Sequence, residues 1–423
     1  MSVDWQIVSV IGAEIQEATD FQAVVGIWHQ HLTDLHDCKL IYSQREEADT
    51  ILPSKTWPRN FSRGGYLRPL FAYDNLFFLD RRIAVEQWLD LESNFNLDSS
   101  VEFDTNVASY VEGFIENRPG PNSDRVKEVF DFVVTTEGVN FGYNFYALEN
   151  AQGFFDGSRV QSIRRNLRSI IKFDHIDKKE YQATGEIRAT ITDKELDVKA
   201  DEKLHEIYDM HYREMMEAEF ISTNEMIYIL LLKIVGIEHR DKRKKLRQKV
   251  EELYEFMHFE LKTLVVREAM IALNYFKNRA RLAFFGRIVP RPHSQAPELL
   301  KELRNMSWDL MLFRVMDRMA GISTQKGDFL IPYFLTFDRK IVELFDLFPL
   351  KAVITYGDAQ VIPLWETNPL EAIRKEVSTR GIDRYFGDIA RKVRHMKRRT
   401  DVPSDFSCLR KDLEATVVNL LSY

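Results

Sequence analysis

Hydrophobic positions spaced by three and four recur through most of the chain, and short unbroken apolar runs interrupt them at a few places. Phe21 to Leu35 sets Val24, Val25, Ile27, Trp28 and Leu32 near one face, the spacing of a helix, and Leu79 to Leu91 predicts another. Ile7 to Ile11 predicts a short strand. Thr56 to Arg68, with Pro58 and the Gly64-Gly65 pair, predicts a loop. At Ser100 the pattern changes. Val101 to Phe103 predicts a strand, which runs into a helix marked by Val107, Tyr110, Val111 and Phe114. Asp124 stands where an N-cap would for a helix over Arg125 to Val134, and Asn144 to about Phe155 predicts a further helix.

Residues 160–290 read as mostly helical and rich in charge. In the longest such stretch, Glu238 to Ile288, the residues Leu246, Val250, Leu253, Met257, Leu261 and Leu264 form one apolar stripe. The stripe is short for a self-standing coiled coil, so packing within the same chain is expected. Beyond it come a helix over Trp308 to Met319, a strand over Tyr333 to Phe337 ending at Asp338, a helix over Arg339 to Phe345 and a strand over Leu350 to Tyr356. That alternation predicts parallel pairing in an α/β sheet. The pattern divides the chain into an N-terminal mixed region (1–98), the two parts of an α/β domain (99–158 and 298–360), a helical insertion between them (159–297) and a helical tail (361–423). No internal repeat is visible.

Composition changes this picture little. With 45% hydrophobic residues, 29 Phe, 16 Tyr and 6 Trp, the chain can build a real core and is not a disordered polymer. A net charge of -7 gives no global attraction to nucleic acid. Phosphate contacts must then come from local basic runs: Arg164 to Lys172, Arg240 to Lys249 and Arg391 to Arg399. Arg164, Arg165, Arg391 and Arg394 are the candidate contacts, whereas the run from Arg240 reads as a solvated helix face. Cys38 and Cys408 are far apart and form no CxxC, which excludes a zinc ribbon and fits reduced thiols in a cytoplasmic protein. Met1 to Gly12 lacks the features of a signal peptide. The apolar run Ile227 to Ile237 is too short to span a bilayer and contains Lys233, so a soluble chain with no membrane partner is expected. HExxH, GxxxxGK[ST] and GxSxG are absent, and His205 and His211 are off-phase on a helix, which disfavours a zinc protease, a P-loop ATPase and an α/β-hydrolase.

The candidate chemistry lies at two strand ends. Asp104 follows one predicted strand and Asp338 another. In a parallel α/β sheet, ligands bind just beyond the carboxyl ends of strands, so two such aspartates can converge. Converging carboxylates repel unless something compensates them. A hard cation, Mg²⁺ or Mn²⁺, is the natural compensation for oxygen ligands. Such an ion activates water against a phosphodiester. The competing use of either aspartate is as an ordinary helix cap.

VEFDTNVASYV resembles the opening motif of the PIN-like nucleases, an apolar strand ending in Asp-Thr-Asn and entering a helix. FLTFDRKI resembles their closing motif, with Thr two residues before the Asp. The resemblance covers roughly residues 100–155 and 300–356. The segment from about 160 to 295, which a compact PIN domain lacks, departs from it. It implies a PIN-like parallel sheet flanked by helices and four metal-binding catalytic acids in order: Asp104, Glu149 in GYNFYALENA, Asp309 in NMSWDLMLFRVM, and Asp338. Asp317 is an alternative to Asp309, and Glu137 and Glu225 are alternatives to Glu149. Asn106 and Thr336 would orient the carboxylates. The implied activity is Mg²⁺- or Mn²⁺-dependent endoribonuclease cleavage of single-stranded RNA, in RNA turnover, toxin action or defence, with the insertion as a surface for a second copy or a protein partner. The alternatives are a PIN-like fold that binds RNA or acts as a scaffold without catalysis, and a helical interaction protein whose acids are caps. Proximity of Asp104 to Asp338 discriminates between them.

Overall fold

The computed structural model describes residues 5–45, 53–118, 120, 123–136, 139, 141–209, 220–241, 243–279, 282–357, 360–377, 379–387, 389–390, 392–394 and 406–423. The protein is mixed α/β and divides into two compact units. The first comprises residues 1–216 and 312–366, the second residues 217–311 and 367–423.

The first unit begins with helices α1 (Trp5–Glu17) and α2 (Phe21–Gln30). Ile7 to Ile11, expected as a strand, lies inside α1. Val8, Ile11 and Ile15 are its buried positions, a three-to-four spacing that outweighs the shortness of the apolar run. Strands β1 (Cys38–Gln44), β2 (Tyr66–Pro69) and β3 (Asn75–Leu79) follow, then α3 (Arg81–Trp88). Strand β4 (Leu97–Phe103) leads through α4 (Thr105–Ile115), α5 (Ser123–Thr135) and α6 (Asn144–Phe155) to α7 (Val160–Asp174), α8 (Lys178–Thr184) and α9 (Asp193–Ile207). Asp124, expected as the cap of α5, lies in its first turn instead.

The second unit contains α10 (Ser222–Arg240), α11 (Leu246–Phe259) and α12 (Val266–Lys277), so the long helical stretch expected from Glu238 is broken twice. Val250, Leu253 and Met257 of the apolar stripe are buried in α11. Helix α13 (Ala296–Met319) carries the chain back to the first unit. There β5 (Phe329–Thr336), α14 (Arg339–Leu347), β6 (Leu350–Tyr356) and β7 (Gln360–Trp365) complete the sheets. Helices α15 (Pro369–Arg374), α16 (Thr379–Phe386) and α17 (Ser407–Leu421) belong to the second unit. The stretch expected as one insertion is thus shared: α7 to α9 belong to the first unit, and α10 to α12 join the tail in the second. No helix among the described residues is long and apolar enough to cross a membrane. The run Ile227 to Ile237 is buried within α10, apart from Lys233, which is half-buried.

Two small sheets organise the first unit. One, in the order β3-β1-β6-β7, is antiparallel throughout. The other has the order β2-β5-β4; β2 runs antiparallel to β5, and β4 runs parallel to it. The parallel pairing of Val101–Phe103 with the strand that ends before Asp338 is as the sequence pattern predicts. The parallel role expected of Leu350–Tyr356 is not, because β6 pairs antiparallel with β1 and β7. The N-terminal residues, through β1, β2 and β3, are integral to both sheets.

Every residue of β5 is buried. Its Pro332, unusual in a central strand, lies one residue beyond the last β2 partner, Tyr333, and therefore faces no ladder neighbour on that side. Phe334 stacks with Phe345 of α14 at 5.8 Å and meets Phe145 of α6 edge-on at 5.9 Å, so this strand is clamped between two helices beside the site.

Candidate active site at two parallel strand ends

The register between β4 and β5 pairs Phe103 with Leu335, which brings both carboxyl ends to one edge of the sheet. Asp104 is buried, and its Oδ1 accepts the amide of Val107 at 2.8 Å, capping α4. Asp338 caps α14, with Oδ1 accepting the Lys340 amide at 2.8 Å. Both aspartates therefore do serve as caps, each through one carboxylate oxygen. Thr336, fully buried, joins them: its hydroxyl accepts the Asp338 amide at 3.0 Å and donates to Oδ2 of Asp104 at 3.4 Å.

Glu149 reaches the same edge from the second turn of α6. Its Oε2 accepts both the amide (3.0 Å) and the hydroxyl (2.7 Å) of Thr105, the residue after Asp104. Asn150, buried on the same helix, donates to that hydroxyl at 2.8 Å and accepts from Arg159 Nη1 at 3.3 Å. Within Asp-Thr-Asn, then, the Asp caps the helix, the Thr holds Glu149, and Asn106 is exposed on the first turn of α4. The donor to Glu149 is Thr105, not the Asn106 side chain.

Glu102 is a site residue that reading the sequence missed. It is fully buried in β4; Oε1 accepts the Ser100 hydroxyl at 2.7 Å and Oε2 the Phe145 amide at 3.2 Å. Burial pushes its carboxyl above the usual range, while the hydrogen bonds from Ser100, Phe145 and Asn144 pull the other way. A Cβ at Gly142 would stand 1.6 Å from Glu102 Oε1, so only glycine fits there. Glu102 thereby fastens the first turn of α6 to β4, and Glu149 rides on that helix. The available signal was one charged residue inside an apolar strand, Val-Glu-Phe.

The remaining candidate acids are placed by unit and partner. Asp309 belongs to the second unit, where its carboxylate takes a 2.6 Å bond from Arg287. Glu225, in the same unit, accepts from Arg304 at 2.5 Å and Arg410 at 3.1 Å. Asp317 is buried in the part of α13 assigned to the first unit. Glu137 lies outside the described residues. Among the described residues, no three His, Cys, Asp or Glu side chains form a group able to hold a metal ion.

The basic candidates are mostly engaged. Arg164 binds Asp201 at 2.5 and 2.9 Å, and Arg168 binds Asp193 and Asp197 at 2.7 and 3.0 Å; the acidic stripe of α9 faces the basic stripe of α7. Arg165 is exposed, 3.9 Å from Glu112. Arg394 donates to the Tyr385 carbonyl and to His258 Nδ1. Arg391 lies outside the described residues. In the run from Arg240, Arg240 and Lys244 both pair with Glu252, and Lys249 pairs with buried Glu238.

The chain matches no family model, and no match emerges among curated proteins or solved structures.

Proposed function

We propose that this protein is a PIN-like, divalent-metal-dependent nuclease acting on single-stranded RNA, with its centre at the edge shared by β4 and β5. The observation that carries the reading is the Thr336 hydroxyl standing between the Asp104 carboxylate and the Asp338 backbone, at adjacent parallel strand ends. The preference for RNA comes from the resemblance of the two motifs. The donor set consists of hard oxygens and fits Mg²⁺ or Mn²⁺; Mg²⁺ commonly uses one or two carboxylates, with substrate phosphate and water completing its shell. The described residues supply no cage of three acids, so the fit is to an ion completed by substrate. Asp104 and Asp338 would hold it, with Glu149 beside them, while Asp309 serves its own unit by pairing with Arg287. Such an ion supplies an activated water and charge stabilisation at the scissile phosphate. The chain's own part is rigidity: Thr105, Thr336 and Glu102 fix the carboxylates and the helix that carries Glu149.

The engagement of both Glu149 hydrogen bonds by Thr105 favours a second reading, a PIN-like module that binds RNA without cutting it. Cleavage of labelled RNA and single-stranded DNA with Mg²⁺, with Mn²⁺ and with EDTA separates the two. Asp104→Asn preserves a good N-cap but is a poor ligand for a hard cation. Cleavage by the parent and a loss of roughly 100-fold or more in the variant, equivalent to about 3 kcal/mol of barrier, are expected. Equal cleavage by both proteins, or cleavage undiminished in EDTA, rules the nuclease mechanism out. RNA binding with no cleavage on any substrate establishes the second reading.

A further inference from the structure

A cavity of about 380 Å³ opens between α4 and α5. It lies along the same helix whose N-cap is Asp104. At 1.5 Å per residue, Ser109 to Asn117 stand about 8 to 20 Å along the chain's path from Asp104. A strand with a phosphate at the strand ends would pass the cavity mouth within a few nucleotides.

The lining has the chemistry of a base pocket. Tyr110 and Phe114 supply aromatic wall; Tyr110 is braced edge-on against Phe337 at 5.3 Å, and Phe114 lies tilted against Phe130 at 5.0 Å. Gly113 stands between them. It has ordinary helical backbone, and an added Cβ would meet only the Arg118 carbonyl oxygen, at 3.5 Å. Neither conformation nor crowding demands glycine at this point, and helix interiors disfavour it. What the glycine does is leave the cavity open. Asn117 closes α4 with a left-handed backbone (φ 49°), and its exposed carboxamide offers both a donor and an acceptor for a base edge.

Two lining residues, Arg118 and Lys127, are cations with 64% and 54% of their side chains exposed. Lys127 and Asp131 form a surface ion pair, weak enough for a phosphate to compete, while Arg118 is paired with half-buried Glu112 and keeps its own guanidinium exposed. Size, aromatic wall, polar edge and exposed cations together suit one occupant. We infer that this cavity receives an unpaired nucleobase of a single-stranded nucleic acid lying next to the phosphate bound at the strand ends. The choice of nucleic acid rests on the nuclease reading; occupation of the cavity can be measured without cleavage.

The test fills the cavity. Gly113→Leu, with Ser109→Leu as a second filling variant, is compared with the full-length parent by binding of single-stranded oligonucleotides in EDTA, one set carrying 2-aminopurine at successive positions. Thermal melting, with Gly113→Ala as the control, checks the fold. The parent should bind single strands, change 2-aminopurine emission at one position and lose at least 10-fold in affinity when that position is abasic. The filled variants should melt no lower than Gly113→Ala, bind at least 10-fold more weakly and lose the emission change. Unchanged affinity in both folded variants, equal affinity of the parent for duplex and single strand, or no binding by the parent overturns the proposal. Base binding without cleavage would leave the cavity standing and remove the nuclease; cleavage with no base dependence would do the reverse.

Discussion

Carboxylates are held in two different ways in this molecule. In the second unit the partners are cations. Glu238 is buried against Lys249 (2.7 Å) and Arg279 (3.0 Å), Glu252 gathers Lys233, Arg240 and Lys244, Glu225 takes Arg304 and Arg410, and Asp309 takes Arg287. At the strand ends of the first unit, amides and hydroxyls do the holding: Val107 and Thr336 for Asp104, Lys340 for Asp338, Thr105 for Glu149. The first arrangement cancels the charge and joins helices. The second orients the carboxylate through amide and hydroxyl donors. Acids of one sequence thus differ in the donors that hold them, cations for some and amides or hydroxyls for others.

The largest effect should come from breaking the cation type of arrangement. Lys249→Met leaves buried Glu238 with only the partly exposed Arg279, and stability should fall by about 3 kcal/mol or more, read by denaturant titration. A loss under 1 kcal/mol would show that this pair is not structural.

A smaller, pH-dependent effect belongs to Glu252. Burial alone would raise its carboxyl, but the Lys244 hydrogen bond and the Lys233 and Arg240 charges outweigh burial and bring it from 4.5 down to about 2. A depressed folded-state value gives stability that is present above the unfolded value and lost as the pH falls. Glu252→Gln should therefore cost on the order of 2 kcal/mol at neutral pH, allowing for partial solvent screening. The gap between parent and variant should close between pH 4.5 and about 2. A gap independent of pH would contradict the assignment.

The sequence carried some of this clearly and some not at all. Asp104 and Asp338 were legible because each ends an apolar strand and opens a helix, and a β-strand and its following helix are local patterns. Their adjacency followed from parallel pairing across a connection of more than 200 residues, a topological rule rather than a contact. The partner of Asp309 was not legible, because local pattern does not show that Arg287, on a short turn 22 residues earlier, donates to its carboxylate. Arg164 and Arg168 looked available to phosphate for the same reason. The matching stripe of Asp193, Asp197 and Asp201 was visible at four-residue steps, but its pairing with α7 is tertiary. Glu102 was overlooked because a lone carboxylate in a strand has meaning only once Ser100, Gly142 and the start of α6 surround it.

The contrast between the two kinds of acid is sharpest between Asp104 and Asp309: Asp104→Asn keeps an N-cap, whereas Asp309→Asn removes the ion pair with Arg287 and should be the more destabilising of the two, read by thermal melting. Titration of Mn²⁺ into the parent, Asp104→Asn and Asp309→Asn, followed by the electron paramagnetic resonance of free Mn²⁺ in the presence of a non-hydrolysable single-stranded oligonucleotide, measures the central claim. The parent and Asp309→Asn should bind the ion alike, and Asp104→Asn should weaken binding by at least 10-fold. Loss of binding in Asp309→Asn with Asp104→Asn unaffected, or no difference among the three proteins, would contradict the account.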